Sequence, residues 1–144
     1  MTRTPTLSKQ RAIPAAQSWD LLRTSDLARV AVLLDGQLEV FPVTYTADHD
    51  QLVFHAQEGA PLRALLDGAQ AVFEADGRHG HLAWSIVVTG RASLLDQPTD
   101  PAEFAELRKR VSPVRRLDRE VVLTPDSVTG RLVAAEDLSQ WGWF

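Results

Sequence analysis

The feature that most restricts this chain is a proline inside an otherwise strand-like run. Gln37–Phe54, QLEVFPVTYTADHDQLVF, reads as two strands joined by a tight polar turn, with Pro42 lodged in the first. Proline has no N–H to give to a ladder. A strand that carries one lies at a sheet edge, at a bulge, or beside a ligand.

The neighbouring residues extend this pattern into a meander. Leu27–Leu34 (LARVAVLL) is a short apolar run that reads as a buried strand, and Asp35-Gly36 follows at once. Asp-Gly between two apolar runs marks a hairpin, because both central turn residues need positive φ. The return strand is Gln37–Thr46, Ala47–Asp50 is a second turn, and Gln51–Gln57 is the third strand. Before the meander, Ala15–Thr24 reads as a helix with Ser18 as its cap and Trp19, Leu22 and Arg23 on one face.

After it the period changes. Glu58–Gly68 is a short helix, with Pro61 in its first turn, Leu62, Leu65 and Leu66 on its apolar face, and Gly68 at its end. Ala69–Asp76 returns to strand, GRHGH is a flexible loop, and Leu82–Leu95 is a long strand with Gly90 at a bulge or bend. A helix is expected at Pro101–Val111. Two strands then follow, Glu120–Leu123 and Ser127–Val133, around the turn Thr124-Pro125-Asp126, leaving an aromatic tail, WGWF.

About seven strands and three short helices with hairpin-length connections point to a mainly β protein. Regular strand–helix–strand units are absent, so the expected fold is an antiparallel barrel with short peripheral helices, since closure removes exposed edges. Residues 1–13 lack periodicity and read as a flexible arm. Residues 14–144 read as one domain.

Composition narrows the function classes. With no cysteine among 144 residues, disulfides, thiolate metal sites and a cysteine nucleophile are excluded. No apolar run approaches the ~20 residues of a membrane span, and the N-terminus lacks a secretory pattern, so the expectation is a cytoplasmic protein without membrane contact. A net charge of −4 argues against general nucleic-acid binding. The arginines of Arg108–Arg119 read as a solvated helix end and loop, or as a phosphate-contacting patch. The histidines have no metal-ligand spacing; His79 and His81 lie in a glycine loop and His49 in a turn. No nucleophile–base arrangement, GxGxxG or P-loop is present.

The order LLRTSDLARVAV, DGQLEVFPVTY, QLVFHAQEGAPLRAL, AVFEADG, HLAWSIVVTGRA and LTPDSVTGR resembles the pyridoxamine 5′-phosphate oxidase-like superfamily of flavin-binding split β-barrels, from about Trp19 to Arg131. The resemblance is greatest to its small actinobacterial-type members. It implies a split-barrel homodimer with FMN, or in some relatives a deazaflavin, haem or no cofactor, in grooves between subunits.

Site residues follow from the same resemblance. The segment Phe41–Tyr45, with Pro42, Val43, Thr44 and Tyr45, corresponds to the strand that runs along the flavin ring. Otherwise Pro42 is an edge-strand proline with no ligand. His55 and Arg63 would serve the phosphate, with Arg29 or Arg78 as further cations; Arg63 is otherwise a solvated helix arginine. Relatives commonly carry a Thr and a Lys where this chain has Ala56 and Pro61, which removes a hydroxyl and a cation from the phosphate side. Trp84 packs either against the flavin or in the core.

Catalytic side chains are not identified, because a flavin itself performs hydride transfer. Three functions are consistent with these features: an oxidoreductase acting on a small molecule, a non-catalytic flavin-binding dimer, and a cofactor-free protein kept for oligomerisation. The short chain and the WGWF tail argue against true pyridoxamine phosphate oxidase activity.

Overall fold

A computed structural model describes residues 10–48, 50–68, 70–95 and 118–134. Its strands are β1 (Gln10–Ile13), β2 (Leu27–Leu34), β3 (Gln37–Asp48), β4 (Gln51–Gln57), β5 (Ala71–His79), β6 (Leu82–Leu94) and β7 (Asp118–Ala134); its helices are α1 (Ala15–Leu22) and α2 (Ala60–Leu66). Every pairing is antiparallel. The order β1-β7-β4-β3-β2-β5-β6 closes because β6 returns to β7, so six strands form a ring and β1 adds to the far half of β7.

Closure is uneven. The β6–β7 ladder runs from Leu82↔Ala134 to Leu94↔Val121. By contrast β2 meets β5 only from Arg29↔Glu74 to Ala31↔Val72, and β3 meets β4 only from Tyr45↔Phe54 to Asp48↔Gln51. The expectation of a mainly β antiparallel barrel with short helices is met.

Strand alternation fills the ring. Ala28, Val30 and Val32 of β2, Val43 and Tyr45 of β3, Phe54 of β4, Phe73 of β5 and Ile86 of β6 all enter one core. Trp19 and Leu22 join it from α1, and Leu62 and Leu65 from α2, so each helix buries one face on the barrel. Opposite Gly77, the Trp84 indole occupies the space a Cβ would need.

Several expectations need correction. Ser18 does not cap α1: Pro14 holds that position, and Ser18 is buried within the helix with its Oγ unpaired. β2 is buried on one face only, with Leu27 and Leu33 exposed on the other. Over Gln10–Ile13 the expected arm is a strand, fixed by β7. β3 continues through Asp48, so the expected turn gives up Ala47 and Asp48 to the strand. The GRHGH loop shrinks to Gly80-His81, because Gly77–His79 pair with Leu82–Trp84.

The largest difference concerns the two C-terminal strands, which are one. Thr124-Pro125-Asp126 is not a turn but the place where the register with β6 slips: Thr89 faces Ser127, while Gly90 faces Pro125. Asp126 is the extra residue of a bulge, which bends the strand without ending it. Gly90 is required there, since a Cβ would run into the Thr124 carbonyl. The bulge expected at Gly90 is therefore present, with its extra residue on the partner strand. The Pro101–Val111 helix, the part of the arginine cluster within 108–117 and the WGWF tail lie outside the described residues.

Candidate functional site

The unevenness of the ring creates the site. β2 and β3 form a hairpin through Asp35 (φ 50) and Gly36 (φ 79), pairing from Leu34↔Gln37 to Leu27↔Thr44. Along such a ladder, alternate residues bond to the partner strand while the others direct N–H and C=O to the opposite edge. The Tyr45 N–H donates to the Asp26 carbonyl at 2.9 Å, which fixes the parity. Phe41, Val43 and Tyr45 therefore bond toward β2. Val40, Pro42 and Thr44 face away.

Among the described residues, no strand pairs with that away-facing edge from Gln37 to Thr44, because β4 joins β3 only at Tyr45 and beyond. Pro42 thus sits where its missing N–H would have pointed into the opening, and the β2–β3 ladder loses nothing. This accounts for the proline in terms of pairing. The opening has Val40 and Thr44 amides, the Pro42 carbonyl and the exposed Thr44 side chain on one side. On the other it has the end of β4, whose residues His55–Gln57 pair with Glu120–Asp118 of β7 but not with β3.

Not all of the sequence-derived residues meet there. Pro42 and Thr44 are exposed on the outer face, and Arg29 lies directly across from Pro42. His55 points to the outer side of β4, across from Glu120, with its Nε2 buried and unpaired. Arg63 is exposed on α2, beyond the end of β4.

The Val43, Tyr45 and Trp84 side chains belong to the core. Tyr45 donates its hydroxyl to the Leu22 carbonyl at 2.7 Å and meets Phe73 edge to face, and burial pushes the hydroxyl up to about 12. Val43 and Tyr45 thus lie on the core side of β3, while Trp84 packs against Gly77 of β5.

A second feature shares the outer face. Arg29 Nη1 lies 3.3 Å from Glu74 Oε1 and 3.2 Å from Asp76 Oδ2, and the Ser85 hydroxyl donates to Glu74 Oε2 at 3.2 Å. Burial, followed by the hydrogen bond and charge of Asp76, raises the Glu74 carboxyl to about 7, with Ser85 and Arg29 opposing. Around this cluster lie exposed Leu27, Leu33, Leu38, Val40 and Val72.

Of these three charged groups, Arg29 is the one expected from the sequence; neither carboxylate is. Their signal was available in AVFEADG, where Phe73 and Ala75 take the core face and so place Glu74 and Asp76 together on the other. No group of three or more His, Cys, Asp or Glu positioned for a metal occurs among the described residues. None of their helices is long and apolar enough to cross a membrane.

A barrel split along one seam, with an unpaired strand edge lining the split, defines a class of small split-barrel proteins. The family model for pyridoxamine 5′-phosphate oxidase matches residues 14–132, so the chain belongs to that family. Solved structures agree. The chain is similar to the FAD binding protein from Mycobacterium smegmatis (27% identity, TM-score 0.72, covering 85% of this chain and 97% of that one). It is similar to the FAD and heme binding protein from the same organism (25%, TM-score 0.61, 94% and 81%). An FAD-binding protein from Mesorhizobium loti shares the fold (18%, TM-score 0.68, 87% and 99%). A comparison with curated proteins gives no match.

Proposed function

We propose that this protein is a flavin-dependent oxidoreductase acting on a small molecule, with the isoalloxazine ring lying along the free edge of β3. The observation that carries the reading is the unpaired Val40–Thr44 edge, whose proline falls at a position directed into the opening. The ring edge of a flavin alternates hydrogen-bond donors and acceptors, and amides at Val40 and Thr44 with a carbonyl at Pro42 match that pattern. Two solved structures similar to this chain at 25% identity or more are FAD binding proteins. The bound flavin would supply hydride transfer, and the chain's own residues would orient it.

On the phosphate side, His55 and Arg63 are the groups able to serve an anion. His55 fits through its buried, unpaired Nε2, and Arg63 through its exposed guanidinium just past β4. Ala56 is buried and contributes no polar group, and Pro61 brings no charge. The consequence is that FMN, whose affinity depends on its single phosphate, should be held less tightly than its ring alone would suggest. That favours FAD as a second reading, since an adenylate adds contacts elsewhere.

A homodimer completing the site belongs to the same proposal. It rests on the family and on the exposed apolar side chains beside the opening.

The test is fluorescence titration of FMN, FAD, riboflavin and a deazaflavin, followed by reduction of the bound flavin with NADPH or reduced deazaflavin and reoxidation by an acceptor. Binding with turnover supports the enzyme; binding without turnover reassigns the protein as a flavin carrier. Indifference to all four ligands contradicts the cofactor reading. Arg63→Ala should weaken FMN several-fold while sparing riboflavin, and equal loss of both would remove Arg63 from the phosphate.

A further inference from the structure

We propose that the β2–β3 hairpin is a movable wall of the opening, pivoting at its Tyr45 end, and that Arg29 is the positioning residue that fastens it to β5. What enters the opening rests on the flavin reading above, whereas the motion stands on the strand ladders alone.

The ladders set out the mechanics. All of β2 pairs with β3, from Leu27↔Thr44 to Leu34↔Gln37. Toward the rest of the ring the hairpin is held by two short ladders. One runs from Arg29↔Glu74 to Ala31↔Val72, the other from Tyr45↔Phe54 to Asp48↔Gln51. Among the described residues, 32–44 therefore pair only within the hairpin.

Its two ends are fixed very differently. At the base, the Tyr45 N–H donates to the Asp26 carbonyl at 2.9 Å, its hydroxyl donates to the Leu22 carbonyl at 2.7 Å, and its ring meets Phe73 edge to face. Toward the tip, Val32 is the only buried residue among 32–40, and Leu33 and Leu38 are 55% and 77% exposed. A two-stranded ribbon with so little buried beneath it is held loosely.

Arg29 acts between these ends. It lies across from Pro42 on one side and from Glu74 on the other, and its Nη1 reaches Glu74 Oε1 and Asp76 Oδ2. The second contact is the informative one. Asp76 lies beyond the last β2–β5 backbone pair in that direction, so this ion pair bridges the seam where the ladder has stopped. Ser85 of β6 holds the other oxygen of Glu74. The Arg29 and Asp76 side chains are 44% and 50% exposed, and ion pairs this open to water are weak and readily exchanged for hydration. The fastening thus sets the wall without locking it. That suits an opening that admits a flat ring between β3 and the end of β4.

Motion of this kind has a signature within β2. Phe41 and Val43 bond toward β2, so Ala28, Val30 and Val32 direct their backbone groups to β3, while Arg29 and Ala31 direct theirs to β5. A swing of the hairpin as a unit breaks the second set and keeps the first.

Amide exchange of the ligand-free chain, read residue by residue, tests the motion without any cofactor. Ala31 should exchange at least tenfold faster than Val30 and Val32. Arg29→Ala should speed Ala31 several-fold more, and Arg29→Lys should restore much of the difference. Equal protection of the three amides overturns the movable wall. An Ala31 amide indifferent to Arg29→Ala, or all three amides speeding up alike, overturns the role of Arg29. The chain has no cysteine, so Ala31→Cys with Val72→Cys, on facing positions of β2 and β5, installs a single disulfide across the seam. In stopped-flow fluorescence the oxidised protein should take up FMN or FAD at least tenfold more slowly than the same protein reduced by a phosphine. Equal rates in the two states overturn the part of the wall in ligand entry. Binding by neither state, nor by the wild-type chain, overturns the flavin reading and the entry role with it, while amide exchange still decides the motion.

Discussion

The two faces of β3 carry opposite kinds of residue within a few positions of each other. Val43 and Tyr45 point inward and are almost fully buried, and Tyr45 is held by Phe73 and by the Leu22 carbonyl. Pro42 and Thr44, one position to either side of Val43, point outward, with β2 along one edge and no strand along the other among the described residues. The inner set holds the barrel together, while the outer set lines the opening proposed above to receive the flavin. Because strand alternation separates the two, a substitution on one face should affect one property and leave the other intact.

Core truncation should have the largest effect. Phe73→Ala removes an aromatic ring that is fully buried at the centre of the ring of strands. It should cost about 3–5 kcal/mol in urea unfolding. Any flavin binding lost should return in proportion to the fraction folded. A smaller loss is expected for Tyr45→Phe, which deletes only the buried hydroxyl donating to Leu22. About 1–2 kcal/mol of stability should go, with flavin affinity preserved in the folded protein. Loss of affinity without loss of stability would place that hydroxyl in the site.

On the other face, Thr44→Val should leave stability within about 0.5 kcal/mol and weaken flavin binding several-fold. An unchanged affinity would confine the role of β3 to its backbone.

Glu74→Gln gives a pH-dependent contrast between the faces. Its carboxyl is raised from 4.5 to about 7 in the folded chain, so the folded state binds more protons than the unfolded state between those values. Stability is therefore lost as pH rises from about 4.5 to 7 and stays reduced above. Glu74→Gln should raise Tm at pH 8 and leave it nearly unchanged at pH 4, read by thermal unfolding. An equal shift at both would assign the effect to packing.

How much of this was legible follows from the same alternation. LARVAVLL and AVFEADG announce strands, and Asp35-Gly36 announces the hairpin, because those signals are local. Thr124-Pro125-Asp126 misled because a bulge and a turn use the same residues. Only the long-range register with Gly90 tells them apart. Trp84 was ambiguous, and Tyr45 was assigned to the flavin ring although its side chain lies in the core, for a related reason. An aromatic residue on a strand suits a core or a ligand equally, and the direction it faces is set by partners far away in sequence. The unpaired edge of the candidate site was legible where it depends on Pro42, an intrinsic limit on hydrogen bonding. The neighbouring cluster was not legible at Glu74 and Asp76, whose meaning depends on Arg29 arriving from another strand.

The central claim is that the Val40–Thr44 edge is unpaired and receives the flavin. Amide hydrogen exchange followed residue by residue in NMR spectra tests it most directly. Without ligand, the Val40 and Thr44 amides should exchange quickly while Phe41 and Val43, bonded to β2, exchange slowly. Saturating flavin should then slow Val40 and Thr44 and leave Phe41 and Val43 as they were. Slow exchange at Val40 and Thr44 before ligand, or no change on adding it, would contradict the account.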